Sequence, residues 1–396
     1  MKLLVLSFYY EPDLSAGSFR ATALVKALRE RIGPAAEIDV VTTEPNRYAT
    51  YAATGAPKAT DPGVTVLRVP LPAHSSDMRG QSRAFLAYAR ATLRHVRGRQ
   101  YDMVFATSGR LMTAALGAWV SRRIRAPLYL DIRDIFVDTI KDVLPGAAAP
   151  LARHTFSLLE RWTMRRAEVI NLVSGGFESY FRARYPTTHL RWFTNGIDDE
   201  FVSAGAVTMP QVDDGSRPVR VLYAGNMGEG QGLHAIVPKL AKLAGPRMQF
   251  SLIGDGGRRR ALEDALRAEG VSNVEIRNPV NRGKLIEAYR EADVLFLHLN
   301  DYEAFEKVLP SKIFEYGAMG KPIWAGVAGF AAKFLREETS NAAVFKPCDA
   351  DDAMRAYAAL EIATMPRTAF VEKFRRANIA RAMADDIIAT LSLPSP

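Results

Sequence analysis

The chain has 396 residues, 48% of them hydrophobic, and a formal net charge of +9. That length exceeds one ordinary domain and the apolar content suits a packed core, so two globular domains are expected. A single cysteine, Cys348, excludes an internal disulfide framework and a cysteine-based metal cluster and fits a reducing compartment.

No run of about 18 apolar residues is present to form a membrane-spanning helix. The charge is one-sided: residues 1–198 hold 27 Lys and Arg against 17 Asp and Glu, whereas residues 199–396 hold 25 against 26. The first half therefore carries the whole excess and points to an anionic partner. An anionic membrane surface qualifies. Nucleic acid is not expected, because no zinc-finger spacing or RNP motif accompanies the charge.

The N-terminal MKLLVLSFYY is cut off by Glu11-Pro12-Asp13 with no small-residue cleavage site after it, so residues 3–8 read as a buried strand rather than a signal segment. A polar loop over 10–18 leads into a helix over 19–31, with Leu24, Ala27 and Leu28 at core spacing. Further strands are expected at 37–42, 64–69, 103–106, 127–130, 169–173 and 190–193, with a helix running through Trp119. Asn195-Gly196-Ile197-Asp198 and a Gly/Pro/Asp-rich stretch to Pro218 read as a hinge. The pattern then restarts. Residues 219–223 read as a strand into the turn Ala224-Gly225-Asn226-Met227-Gly228, and 249–253 as a strand into Gly254-Asp255-Gly256-Gly257. Strands at 275–277, 294–297 and 323–325 follow, and a last helix over 367–391. Strands alternating with helices predict an α/β fold. Two doubly wound Rossmann-like domains, 1–198 and 199–366, are expected to face each other across a cleft, with helix 367–391 packing back on the first. Ligands of such sheets sit at the carboxyl ends of the strands.

One stretch carries more chemistry than the rest. Leu309-Pro310-Ser311-Lys312-Ile313-Phe314-Glu315-Tyr316-Gly317-Ala318-Met319-Gly320-Lys321-Pro322 reads as a short helix begun by Pro310 and Ser311 and stopped by Gly320 and Pro322. Ser311 can cap an orphan N–H, and Ile313, Phe314 and Met319 can face a core. Lys312 adds positive charge to a helix start that already favours anions, and Glu315 can accept from two adjacent hydroxyls. Phosphate followed by ribose is the geometry of a nucleotide diphosphate. The same residues also make an ordinary capped helix with an (i, i+3) ion pair.

Asp131, Arg133 and Asp134 place three charges at a strand end, where solvent contact or acceptor binding both fit. Asp349-Ala350-Asp351 has D-x-D spacing but precedes a helix, so an N-cap is expected there rather than a metal. The six histidines show no ligand spacing, and His298 reads as a strand-end residue. Arg258-Arg259-Arg260 reads as a solvated helix start. Residues 79–99 and 153–166 mix arginines with aromatic and aliphatic residues, as a helix resting on anionic lipid or a core-facing helix with a charged outer side would.

Five segments taken together resemble the family-four type of retaining glycosyltransferases with the GT-B fold. They are Asn195-Gly196-Ile197-Asp198, Leu222-Tyr223-Ala224-Gly225-Asn226, Ile253-Gly254-Asp255-Gly256, Ala292-Asp293-Val294, and Pro310-Ser311-Lys312 through Glu315 to Lys321-Pro322. The departures are informative. Lys307 stands where the family has the first of two glutamates, Glu315 holding the second place. Asn226 and Gln231 stand where it has an Arg and a Lys on the diphosphate, and Arg133 where it often has a His. The segments G-N-M-G-x-x-Q-G-L, D-I-R-D and P-S-K-I-F-E-Y are similar to those of a subgroup that builds bacterial surface polysaccharides and includes N-acetyl-fucosamine-type transferases.

The resemblance implies a metal-independent transfer from a nucleotide-sugar, a UDP-sugar rather than a GDP-sugar, to a lipid-linked saccharide. It implies a cytoplasmic location, at the inner-membrane surface. Lys312, Asp131, Arg133 and Asp134 are then the candidate catalytic residues, with no dedicated base. Gly17, Gly225, Asn226, Gly228, Gln231, Asp255, Ser311, Lys312 and Glu315 are the candidate donor-binding residues. Asp255 is expected to act structurally, and Gly17 and the amides about Gly225, Asn226 and Gly228 by close backbone approach. A GT-B-fold UDP-sugar epimerase and a non-catalytic sugar-nucleotide binder are the alternatives.

Overall fold

The structure is a computed structural model and describes residues 1–13, 15–45, 62–71, 78–109, 111–135, 137, 149–206 and 217–391. The chain divides into two compact units, Met1–Asn195 with Arg376–Pro396, and Gly196–Arg375.

The first unit holds seven parallel strands: β1 (Lys2–Leu6), β2 (Glu37–Thr43), β3 (Val64–Val69), β4 (Met103–Thr107), β5 (Leu128–Ile132), β6 (Val169–Leu172) and β7 (His189–Arg191). Their order is β3-β2-β1-β4-β5-β6-β7. Residues of β4, β5 and β6 are buried throughout, as strands covered on both faces must be. The helices are α1 (Ala16–Ile32), α2 (Met78–His95), α3 (Leu111–Ile124), α4 (Ala149–Arg166) and α5 (Glu178–Arg184). The Ser15 hydroxyl accepts the Ser18 N–H at 3.2 Å and caps α1, which therefore starts three residues before the expected 19 and takes Gly17 into its first turn.

The second unit repeats the plan with six parallel strands: β8 (Val219–Asn226), β9 (Met248–Asp255), β10 (Val274–Arg277), β11 (Val294–His298), β12 (Ile323–Gly326) and β13 (Ala342–Phe345), in the order β10-β9-β8-β11-β12-β13. Its helices are α6 (Asp199–Ala206), α7 (Leu233–Ala244), α8 (Arg259–Glu269), α9 (Arg282–Glu291), α10 (Lys312–Met319), α11 (Gly329–Glu338), α12 (Ala350–Tyr357) and α13 (Thr368–Phe374). Alternate strand residues serve opposite faces. Leu295 and Leu297 join the cluster that holds Ile313, Phe314 and Met319 of α10. Val294 and Phe296 join the cluster under α7, with Leu233, Ile236 and Leu240.

Two expectations change. The last helix is not continuous from 367 to 391: Arg375 is extended (φ −60°, ψ 122°), separating α13 from α14 (Arg376–Leu391). α13 packs on α10 through Phe370 and Phe374 in the second unit, while Ala380, Met383, Ala384 and Ile387 of α14 join the α1 core of the first. The stretch read as a hinge contains α6, whose Phe201 ring lies 5.8 Å from that of Tyr289. In both sheets the winding reverses beside the first strand, between β1 and β4 and between β8 and β11. Such switch points open a crevice at the carboxyl ends of the strands. No helix among the described residues is long and apolar enough to cross a membrane.

Candidate functional site

In the second unit, β8 runs into its switch point through Gly225, whose φ of 150° favours glycine. A Cβ there would overlap Cε and Nζ of Lys312, so the ammonium lies directly on the bare backbone face of Gly225. The Tyr223 ring is 5.9 Å away on the same strand. Lys312 opens α10, whose last turn closes at Gly320 in the left-handed conformation. Burial pulls the Lys312 pKa below the usual lysine value, and the Glu315 carboxylate one turn on pulls it back up. The alternative (i, i+3) ion pair is not formed: among the described residues no carboxylate lies within 4.0 Å of the Lys312 ammonium. Glu315 Oε2 instead accepts from the Tyr289 hydroxyl at 2.9 Å, which leaves Oε1 for a ligand hydroxyl. Ser311 also departs from expectation. It is already helical (φ −61°, ψ −24°) and its hydroxyl caps nothing, so its place in the site is that of the residue leading into Lys312.

The turn after β8 is tied to itself. Asn226 Nδ2 donates to Gln231 Oε1 at 2.8 Å, and the Gly228 N–H donates to the same oxygen at 3.2 Å. The Met227 N–H donates to the Asp255 carbonyl at 2.8 Å. Asn226, Gly228 and Gln231, expected to face a phosphate, thus satisfy one another, because an amide side chain bridges the short turn that two cations would force open. Asp255 Oδ1 accepts from the Gly256 N–H at 2.8 Å, a turn-closing role. His298, at the end of β11, is 1% exposed. It donates from Nδ1 to the Gln231 carbonyl at 2.7 Å and accepts the Cys348 N–H on Nε2 at 2.9 Å. Burial pushes its pKa down to about 4, so it braces the turn as a neutral ring. Asp349 caps α12 by accepting the Asp352 N–H at 2.9 Å, as its D-x-D position before a helix led us to expect. Arg258 pairs with Glu229 and Arg259 with Glu263.

In the first unit, Asp131 proves to be structural. It lies within β5, 1% exposed, and receives the Arg20 guanidinium on both oxygens at 2.8 and 2.9 Å and Asn171 Nδ2 at 2.7 Å. Arg20 also donates to the Thr194 and Phe193 carbonyls. A buried carboxylate needs such full pairing, and with it Asp131 clamps α1, β5 and β6 rather than meeting an acceptor. Arg133 is placed differently. A Cβ at Gly17 would overlap its Nη1, and one at Gly109 would come within 3.8 Å, so the guanidinium stands over the first turn of α1 at the switch point of this sheet. Asp134, beside it, is exposed. Sequence reasoning missed Arg20, Asn171, Tyr289 and the bracing by His298. Arg20 was findable: it shares one face of α1 with Leu24 and Leu28, where an arginine needs a buried partner.

Residues 17–196 match the profile of the glycosyl transferase 4-like domain, and residues 210–376 that of the glycosyl transferases group 1. The chain joins a glycosyl transferase 4-like domain to a group 1 glycosyltransferase domain. Among relatives of this family, an Escherichia coli (strain K12) protein named WcaI, a glycosyl transferase assigned to colanic acid biosynthesis, is 29% identical over 100 residues. That match spans 25% of this chain and 24% of the relative, about a quarter of each. Among solved structures, sucrose-phosphate synthase from Thermosynechococcus elongatus aligns with a TM-score of 0.71 at 14% identity over 99% of both chains. Anabaena HepE in complex with UDP aligns with a TM-score of 0.67 at 16% identity, over 98% of this chain and 100% of that one. WaaG, a glycosyltransferase of lipopolysaccharide biosynthesis, aligns with a TM-score of 0.62 at 14% identity over 98% and 97%. At these identities the structures share the GT-B fold of the family.

Proposed function

We propose that the chain is a retaining glycosyltransferase that moves a sugar from a nucleotide diphosphate to a lipid-linked saccharide in bacterial lipopolysaccharide, O-antigen or capsule synthesis. The observation that carries this reading is the half-buried Lys312 ammonium, laid on the bare face of Gly225 at the second switch point with no carboxylate within 4.0 Å among the described residues. Cleaving the anomeric bond puts negative charge on the β-phosphate, and a pre-placed cation in a partly dry site stabilises that charge. Glu315, oriented by Tyr289, takes the ribose hydroxyls on Oε1. With Lys312 in this place the reaction needs no metal, and the leaving phosphate itself takes the acceptor proton. In the first unit, Arg133 at the switch point, with Asp134 beside it, holds an acidic acceptor.

UDP is favoured over GDP as the nucleotide, in keeping with the UDP of the HepE complex. The WcaI name supports surface-polysaccharide synthesis, and an N-acetylated amino or deoxy sugar is the donor we favour. The enzyme works at the cytoplasmic face of the inner membrane as a peripheral protein. One observation favours a second reading. The self-satisfied Asn226–Gln231 pair holds no charge for the diphosphate, as a non-catalytic sugar-nucleotide sensor would have it.

Incubation with a panel of UDP- and GDP-sugars, with and without membrane extract, separates the readings. Nucleotide release only with extract is the expected result. Sugar interconversion without extract would make the protein an epimerase, and binding with neither outcome would make it a sensor.

A further inference from the structure

The first unit carries a surface that the donor chemistry does not use. α3 packs against both α2 and α4. These helices contain one carboxylate between them, Glu160. Glu160 is 3% exposed and turned inward, accepting from the Tyr180 and Tyr185 hydroxyls at 2.8 and 2.9 Å. Their described outer sides therefore carry no negative charge. Arg83, Arg90 and Arg94 of α2, Arg122 and Arg123 of α3, and Arg161 and Arg165 of α4 are all exposed. None of them pairs with a carboxylate among the described residues. In a chain with 43 acidic residues, an outer surface of three helices without one is a selective absence.

The apolar residues concentrate in the same place. Leu86 (49% exposed), Leu93 (36%), Met112 (37%), Trp119 (54%) and Leu158 (53%) stand on these helices. Only Met1, Trp192 and Leu243 are comparable elsewhere among the described residues. Between α3 and α4 lies a groove of about 490 Å³ lined by Arg122, Leu158, Arg161, Trp162, Arg165 and Arg166. Arg166 is engaged by the Ala126 carbonyl at 3.1 Å, which leaves three arginine heads and an indole to the groove. Exposed aromatic and aliphatic groups among unpaired arginines match a bilayer interface, where apolar side chains enter the acyl boundary and cations meet lipid phosphates.

We propose that the outer side of α2, α3 and α4 docks on a bilayer of anionic phospholipid, and that the α3–α4 groove takes one phosphate-bearing headgroup. The inference rests on the reading of a lipid-linked acceptor and names the surface that would meet its membrane.

The test is flotation of the full chain with vesicles of phosphatidylcholine containing phosphatidylglycerol, against pure phosphatidylcholine, across a range of salt. Two variants are compared: Arg122→Glu/Arg161→Glu/Arg165→Glu, and Trp119→Ser/Leu158→Ser. Melting temperature checks their folding, and UDP titration is run on the same samples. The expected result is binding to the anionic vesicles only, weakened by salt, with partitioning lowered at least about tenfold in the charge-reversed variant and clearly lowered in the apolar one. Equal binding to both vesicle types, no binding, or unchanged binding of folded variants would overturn the proposal. So would complete release by millimolar pyrophosphate or by an RNA oligomer, which would assign the groove to a soluble anion or to nucleic acid. UDP binding without flotation contradicts this surface alone, whereas flotation without UDP binding supports the surface and contradicts the transferase reading alone.

Discussion

Lys312 is the residue on which the proposed donor site turns. Holding it charged in a partly dry place costs stability, because burial disfavours the ammonium and lowers its pKa. The cost is present while the folded chain keeps the proton against that tendency, below the lowered pKa. It fades as pH rises from there toward 10.5, where the unfolded lysine also loses its charge. Lys312→Met should therefore raise the melting temperature at neutral pH, by roughly 2–4 °C per kcal/mol relieved. The gain over wild type should shrink as pH approaches 10.5, while turnover falls on the order of a hundredfold. Calorimetry and initial rates on the same preparations check both, and a destabilised Lys312→Met would contradict the assignment. That Lys312 and Glu315 share one short helix was legible in the sequence because both stand beside a marked helix start. The role of Asp131 was not, because its partner Arg20 is 111 residues away along the chain. Nor was the Asn226–Gln231 bond, since two amides five apart carry no sign that they face each other.

At the scale of elements, β8, the turn to Gln231, β11 and α10 form the frame of the proposed donor site, and His298 locks the turn to β11. A ring whose pKa falls from 6.5 to about 4 on folding contributes stability that is complete above pH 6.5 and lost as pH falls through about 4. The loss is on the order of 3 kcal/mol. Denaturant titrations between pH 7 and 4 should show this slope in the wild type and a clearly smaller one in His298→Gln; equal slopes would contradict the bracing role. Most strands and the helix at 312–319 were legible, since apolar runs bounded by Gly, Asp and Pro mark buried parallel strands. The break at Arg375 was not, because the apolar spacing continues on both sides of a residue that turns the chain by its backbone alone. α6 was hidden by the polar composition that follows it.

The whole molecule pairs a basic first unit with a near-neutral second one on two sheets of the same winding. The fold and the family emerged from the sequence through five short segments in a fixed order. The donor sugar and acceptor did not, because they depend on side chains whose neighbours come from distant parts of the chain. The central claim is that a nucleotide diphosphate binds the second unit with its phosphates on Lys312 and its ribose on Glu315. Calorimetric titration of UDP and of uridine into the wild-type, Lys312→Ala and Glu315→Ala chains tests this directly. The account predicts that Lys312→Ala weakens UDP at least about tenfold and leaves uridine unchanged, and that Glu315→Ala weakens both. Unchanged UDP affinity in Lys312→Ala, or equal losses for UDP and uridine, would contradict it.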